Sequence, residues 1–396
     1  MIEIPTVDQL DVRGKRVFYR VDYNVPLDGG LVSDATRIEE TIPTLQMLRE
    51  RDAAIVIASH LGRPKGARVE KYSLAPVRAK LEEIMSVPVA WASDCIGTEA
   101  KAAASRLGPG EILLVENLRF HAGEEENDPE FAAALRELGE MYVNDAFGAS
   151  HRAHASIVAL PRLFPHSRRA GGLLLARELQ FLQKVTEVEE RPFVALLGGA
   201  KIAGKIEPLE ALVERADMVL IGGGMANTFL AAKGVPMGAS LVDHDSLDVA
   251  RRILAGSSRA ELVLPDDLIV TDSLDAPTRV RNADVATGLQ DDERAVDIGE
   301  RTIEAYKRRI EGARTIFWNG PMGVFERDEF AKGTLAMAEA VATSGGTTIV
   351  GGGESVEAVN QSGFAERISH ISTGGGASLE FIAGSMLPGV AVLLEE

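Results

Sequence analysis

Short apolar runs rich in β-branched residues alternate with amphipathic stretches along this chain, and that alternation limits the folds open to it. Residues 16–21, 53–59, 87–91, 111–116 and 141–144 read as strands in the first half. In the second half 192–198, 218–222, 261–271, 314–319, 347–351 and 368–373 read the same way. Between them 41–51, 74–85, 129–138, 209–216, 301–311 and 332–343 carry apolar residues at helical spacing. Strand–helix alternation predicts parallel α/β sheets. At 396 residues the chain exceeds what one core usually holds, so two such sheets are expected. A proline-free helical pattern, 173–188, begins just after Gly171-Gly172 and is the expected rigid connector.

The formal net charge of −17 argues against nucleic acid and anionic membranes as partners, since both need phosphate neutralised by cations. Apolar runs are strand length, well short of a membrane span. Residues 1–10 carry neither a basic nor an apolar signal segment, so a cytoplasmic protein is expected. The single cysteine, Cys95, cannot form an internal disulfide and reads as a small buried hydrophobe.

Ligands of open α/β sheets bind outside the carboxyl ends of strands, so the residues that follow each strand matter most. In the first half these are cations. Asp22, Asn24 and, further on, Arg37 follow the first run, and His60 and Arg63 follow the second. Asn117 and Arg119 follow 111–116, and Asp145, His151, Arg152 and His154 follow 141–144. Any one of these arginines could be an ordinary surface residue. Four at successive strand ends predict a pocket for a small polyanion, because the guanidinium fork matches phosphate and carboxylate. His151 and His154 have zinc-like spacing but lack the further ligands that zinc requires.

In the second half the strands run into glycines. These are Gly198-Gly199-Ala200-Lys201 with Lys205, Gly222-Gly223-Gly224, Asn319-Gly320-Pro321, Gly351-Gly352-Gly353-Glu354-Ser355 and Thr373-Gly374-Gly375-Gly376. Glycines opening a helix let several N–H groups face an anion, which predicts a nucleotide along this sheet edge. The P-loop fingerprint fails, because Ile206 stands where Ser or Thr would hold magnesium, and no Rossmann GxGxxG with its acidic residue is present. Lys201 and Lys205, four apart, are expected to share one face of a helical turn and to hold different phosphates.

Arg20-Val21-Asp22-Tyr23-Asn24-Val25-Pro26, Ser59-His60-Leu61-Gly62-Arg63-Pro64, Glu116-Asn117-Leu118-Arg119-Phe120 and His151-Arg152-Ala153-His154 occur in an order that resembles the phosphoglycerate kinase family. So do Gly198-Gly199-Ala200-Lys201, Trp318-Asn319-Gly320-Pro321 and Ser372-Thr373-Gly374-Gly375-Gly376-Ala377. The resemblance spans nearly the whole chain. It implies two Rossmann-like domains joined by a helix and hinge: 1–172 with the returning tail 380–396 for 3-phosphoglycerate or 1,3-bisphosphoglycerate, and 173–379 for magnesium ADP or ATP. It further implies a monomer. By motif, Arg63, Arg119 and Arg152, with His60, would hold the distal phosphate, and Asp22 and Asn24 the glycerate portion. Arg37 and Lys201 would flank the transferred group. Lys205, Glu326, Asn319 and Pro321 would contact the nucleotide, in a set that includes Gly199, Ala200, Gly223, Gly299, Gly352, Gly353, Glu354 and Ser355. Glu354 would face the magnesium. Two positions depart from the family pattern: Glu354 replaces the usual aspartate, and Gly204 replaces a residue that is often polar.

A carboxylate acceptor is ionised at neutral pH and needs no general base. Catalysis is then alignment and charge stabilisation, with Arg37, Lys201 and the N–H groups at Gly352 and Gly375 as expected stabilisers. Two alternatives remain at this stage: a kinase of another small acid, or a silent nucleotide-binding regulator. Retention of Arg37 and Lys201 favours an enzyme.

Overall fold

Strand β1, Arg16–Arg20, is buried along nearly its whole length, as a strand covered on both faces must be. In this computed structural model, which describes residues 2–256 and 258–396, it is followed by a short hairpin of β2, Leu27–Asp28, and β3, Leu31–Val32. Then come β4, Ala54–Ala58, β5, Val89–Ala92, β6, Ile112–Val115, β7, Met141–Asn144, and β8, Arg169–Gly171. All but the hairpin form one six-stranded sheet, ordered β5-β6-β4-β1-β7-β8, with every pairing parallel. Val17, Tyr19, Ile55, Ile57, Leu114 and Val143 pack there against Leu45, Leu48, Val77 and Leu81 of helices Ile42–Glu50 and Ala75–Met85.

The second sheet repeats the plan. Strands β9, Phe193–Leu197, β10, Met218–Ile221, and β11, Glu261–Val263, lie on one side. The chain then makes β12, Asp267–Thr271, β13, Val280–Asp284, and β14, Arg294–Ile298, before β15, Thr315–Asn319, β16, Thr347–Gly351, and β17, His370–Ile371. The order is β11-β10-β9-β15-β16-β17, again all parallel. Strands β12, β13 and β14 form a separate antiparallel sheet over a small core of Leu268, Val270, Ala283 and Leu289.

This third sheet corrects the expectation of one strand over 261–271. The run breaks at Leu264-Pro265-Asp266, and its two halves join different sheets. A proline has no N–H to donate to a ladder, which suits a break.

In both large sheets two neighbouring strands send their chains in opposite directions. From β1 the chain leads to β4 on one side, while β7 leads to β8 on the other. Likewise β9 leads to β10 and β15 to β16. Beyond the carboxyl ends of such a strand pair lies a crevice.

The contacts divide the chain into Met1–Gln180 with Met386–Glu396, and Phe181–Ser385. The division falls within helix Leu173–Thr186. The tail helix Pro388–Leu394 docks on the first unit, where Gly389 N–H donates to the Ser150 carbonyl at 2.9 Å and Asn144 Nδ2 donates to the Gly389 carbonyl at 3.3 Å.

At Gly172 a β-carbon would meet the Asp145 carboxyl carbon at 2.2 Å. That carboxyl is buried, accepts from Tyr19 Oη at 2.7 Å and from Leu175 N–H at 2.8 Å, and is pushed up to about 6 chiefly by burial. It therefore receives the first turn of the long helix, where a carboxylate is favoured. Gly172→Ala should lower the stability of the first unit by ~1–3 kcal/mol, the usual cost of overpacking. Urea denaturation followed by the unit's own fluorescence checks this, and an unchanged midpoint would contradict it.

Candidate active site

The crevice beyond β1 and β7 collects the charged residues of the first unit. Arg20, the last residue of β1, is fully buried and turns inward. It donates from Nε to Ser156 Oγ at 2.7 Å, lies 3.7 Å from the equally buried Glu124, and has Nη2 3.3 Å from His60 Nδ1. Glu124 in turn accepts from the Ser156 N–H at 2.9 Å and its hydroxyl at 2.6 Å. The pair thus ties the β1 end to the 121–126 and 154–156 segments.

Asp22 stands next along the chain, 3.3 Å from Arg37 Nη1 and 3.8 Å from His60 Nε2, and it accepts from Asn24 N–H at 3.2 Å. Burial pushes its carboxyl up, but the His60 ring, Arg37, Arg20 and the Asn24 N–H together hold it below the usual range. Burial, assisted by Arg20, Arg119 and Arg37 against the pull of Asp22, pushes the His60 ring well below its ordinary value. Arg37 comes from the short helix Thr36–Glu39 and also donates to the Asn24 carbonyl at 3.1 Å.

The loops are stitched to each other. Asn24 Oδ1 accepts from Gly62 N–H at 2.8 Å, Ser59 Oγ from Tyr23 N–H at 2.8 Å, and Asn117 Nδ2 donates to the Leu61 carbonyl at 2.7 Å. Arg119 donates to the Gly62 carbonyl at 2.9 Å and lies 3.4 Å from Glu125. Its Nε has no hydrogen-bond partner although it is buried. Arg63 and Arg152 are exposed. The charge of Arg152 is felt at both Arg119 and His154. His154 Nδ1 is likewise buried without a partner, and burial followed by Arg119, Arg20 and Arg152 pushes that ring down to about 3. Cationic and orphaned donor groups concentrated at one crevice are what an incoming anion would satisfy.

In the second unit Gly199, Ala200, Gly223, Gly224, Pro321, Glu326 and Glu354 line one cavity beyond β9 and β15. Leu241, Leu268, Ala295, Val296 and Met322 supply its apolar wall. Helices Gly353–Ser362 and Gly375–Ile382 start side by side beyond β16 and β17. A β-carbon at Gly375 would lie 2.9 Å from Gly352 Cα, so these helix ends approach only because residue 375 is glycine. Their N–H groups and dipoles together favour negative charge.

Lys201 and Lys205 do not share a helical turn. Gly204 has φ +81°, and the helix begins only at Ile206, with Lys205 as its cap. Lys201 is exposed on the loop and its charge is felt at Asp243. Lys205 donates to the Gly198 carbonyl at 3.0 Å, and burial lowers its ammonium against the opposing charge of Glu354.

Of the expected nucleotide set, Lys201, Lys205, Gly299, Asn319, Gly352, Gly353 and Ser355 do not line this cavity. Asn319 is buried and donates to the Gly351 carbonyl at 2.8 Å, while Ser355 accepts from Gly320 N–H at 2.5 Å. Both brace the glycine loops from behind. Gly299 caps helix Glu300–Ile310 against Asp267 and Asn282 and does not line the cavity.

The sequence reading passed over Arg20, Glu124 and the apolar wall. The buried ion pair joins positions far apart in the chain, and in β14 Asp297 interrupts the short apolar run.

A sequence description of the phosphoglycerate kinase family matches residues 7–385. The phosphoglycerate kinase of Thermomicrobium roseum is 52% identical over 393 residues, covering 99% of each chain. That of Moorella thermoacetica is 49% identical over 395 residues, again with 99% coverage of both. Among solved structures, phosphoglycerate kinase from Coxiella burnetii superposes with a TM-score of 0.88 at 36% identity, covering 99% of both chains. The enzyme from Pyrococcus horikoshii has the same TM-score at 33% identity.

His154 gives a pH test of the cationic crevice. Its folded value lies below the unfolded one, so beneath pH 6.5 the unfolded chain binds more protons and stability falls as pH drops toward 3. The slope from this one residue approaches ~1.4 kcal/mol per pH unit. Denaturation midpoints of His154→Gln should fall less steeply over that window, and 3-phosphoglycerate should flatten the parent's slope. Parallel slopes for parent and variant would refute the assignment.

Proposed function

This chain belongs to the phosphoglycerate kinase family, and on that premise we propose how its residues carry the reaction. The enzyme transfers a phosphoryl group reversibly between 1,3-bisphosphoglycerate and ADP, giving 3-phosphoglycerate and ATP, a step of glycolysis. The observation that carries the residue assignment is the contrast between two switch-point crevices on one chain. One gathers Asp22, His60, Arg37 and Arg119, and the other gathers glycine-opened helix ends around a cavity.

The first crevice takes the phosphoglycerate. Arg119, Arg63 and Arg152 bind its phosphate, with His60 beside them. Asp22 and Asn24 receive the glycerate portion, Asn24 through the amide that also holds Gly62. The second cavity takes the nucleotide. Leu241, Leu268 and Val296 face an apolar base, Glu326 the sugar hydroxyls, and Lys205 with the N–H groups near Gly199 the phosphates. Arg37, Lys201 and the paired helix ends at Gly352 and Gly375 stabilise charge on the moving group. The acceptor oxygen is already ionised, so no side chain has to remove a proton. Both half-sites belong to one chain, so a monomer suffices. A cytoplasmic enzyme free of membrane partners agrees with the charge of −17, and among the described residues no helix is long and apolar enough to cross a membrane.

Glu354 lines the nucleotide cavity from the first turn of its helix, and its charge is felt at Lys205. Magnesium is usually held by one or two carboxylates together with substrate phosphates, and Glu354, in a cavity that Asp297 and Glu326 also line, fits that demand. When bound, the ion would neutralise phosphate charge.

A coupled assay with 3-phosphoglycerate and magnesium ATP tests this reading, and folded protein without turnover would overturn it. Arg37→Ala should cut kcat with little change in KM, by the ~3–4 kcal/mol typical of one preorganised stabiliser. Arg63→Ala should chiefly raise the KM for 3-phosphoglycerate, because its contact exists in ground and transition states alike. An Arg37→Ala kcat within a few-fold of the parent would remove that residue from its role.

Glu354→Gln should raise the magnesium concentration needed for half-maximal activity while leaving 3-phosphoglycerate affinity nearly unchanged. Equal magnesium dependence with reduced thermal stability would instead make Glu354 a helix-end charge.

A further inference from the structure

Behind the first crevice, two loops bring together a nitrogen, a sulfur and an oxygen donor. Asp94 and Cys95 follow β5 and lead into helix Gly97–Ser105, while His121 follows the turn Leu118–Phe120 beyond β6. One ligand atom from each lies within 4.8 Å of the others. Among the described residues no other such group of three occurs. His121 Nε2 is 2.7 Å from Asp94 Oδ1, and the ring is held in place by stacking on Phe131 at 5.3 Å. Cys95 is fully buried, whereas His121 and Asp94 are partly open.

We propose that Asp94, Cys95 and His121 form a binding site for a borderline-soft divalent cation of the zinc type. Zinc takes mixed Cys, His and carboxylate donors, and sites with three protein ligands keep a fourth position for water. Magnesium and calcium prefer oxygen ligands, so the sulfur and nitrogen select against them. Ligand bonds of about 2.0–2.3 Å put tetrahedral donors roughly 3.3–3.8 Å apart, so the group has to contract by about 1 Å at its widest separation.

Binding balances simply. The S–H bond of Cys95 breaks, a metal–sulfur bond forms, and the proton leaves to solvent. His121 offers its Nε2 lone pair with its proton on Nδ1, giving up the present contact with Asp94. Because ligation releases a proton, binding should tighten as pH rises.

The site also touches the phosphoglycerate crevice through the backbone. Arg119 lies two residues before His121, and the next turn, Ala122–Glu125, carries the glutamates that face Arg20 and Arg119. A bound metal would anchor that whole segment.

The test uses the full chain stripped of metals by a chelator, without nucleotide. Cobalt(II) should produce a sulfur-to-cobalt charge-transfer absorption in the near ultraviolet, with release of protons into a weakly buffered indicator solution. Zinc should raise the melting temperature. The absorption should vanish in Cys95→Ser and weaken sharply in His121→Asn and Asp94→Asn. Circular dichroism establishes that each variant is folded, and the two surface-side variants decide the matter if Cys95→Ser does not fold. No absorption and no melting shift in the parent would overturn the proposal. So would an absorption that survives unchanged in both His121→Asn and Asp94→Asn, because cobalt would then be bound by other groups.

Discussion

Parallel pairing carries every strand of a sheet to the same edge before the chain turns back, and the chemistry of this protein is built on that constraint. Loops distant in sequence meet because their strands are neighbours: β1 pairs with β4 and β7, and β9 with β15. Where the chain exits in opposite directions, no crossover covers the strand ends, and a crevice results. The two sheets share this geometry and differ in what fills it. One crevice is lined by side-chain charge, the other by backbone N–H groups that glycine exposes.

Charge at the first crevice is held in place by a buried ion pair and by hydrogen bonds between neighbouring loops. Arg20 and Glu124 are buried together, and removing one partner of such a pair typically costs ~3–5 kcal/mol because the other is left uncompensated. Their hydrogen bonds to Ser156 share the load. Asn24, Ser59 and Asn117 then lock neighbouring loops by backbone contacts, which limits how far His60 and Arg119 can move. Preorganisation of this kind is what electrostatic stabilisation requires, since charges that must reorient during reaction lose much of their effect. The unpartnered ring nitrogen of His154 shows the reverse side of the arrangement: the free protein keeps a polar group unsatisfied where a ligand would satisfy it.

In the second unit the bracing is done by amides and a hydroxyl. Asn319 and Ser355 bind the backbone of the glycine loops from the interior, so the loops keep their shape without bulky side chains on the open face. The antiparallel sheet of β12, β13 and β14 adds what the parallel sheet cannot, an apolar wall through Leu268, Ala295 and Val296.

The sequence by itself determined the alternation of strands and helices, the strand-end position of Asp22, His60, Arg119 and the glycine clusters, and the family. These features are local: each depends on periodicity or on the residues immediately after a strand. Tertiary structure alone decided which loops meet, that the run 261–271 splits between two sheets, and that Asn319 and Ser355 bind the backbone of the glycine loops while they and Gly299 do not line the cavity. It also decided the partners of Arg20, and that Asp94, Cys95 and His121 converge. The physical reason is the same in each case. Contacts between residues tens of positions apart are set by strand order and burial, and neither leaves a periodic mark on the chain.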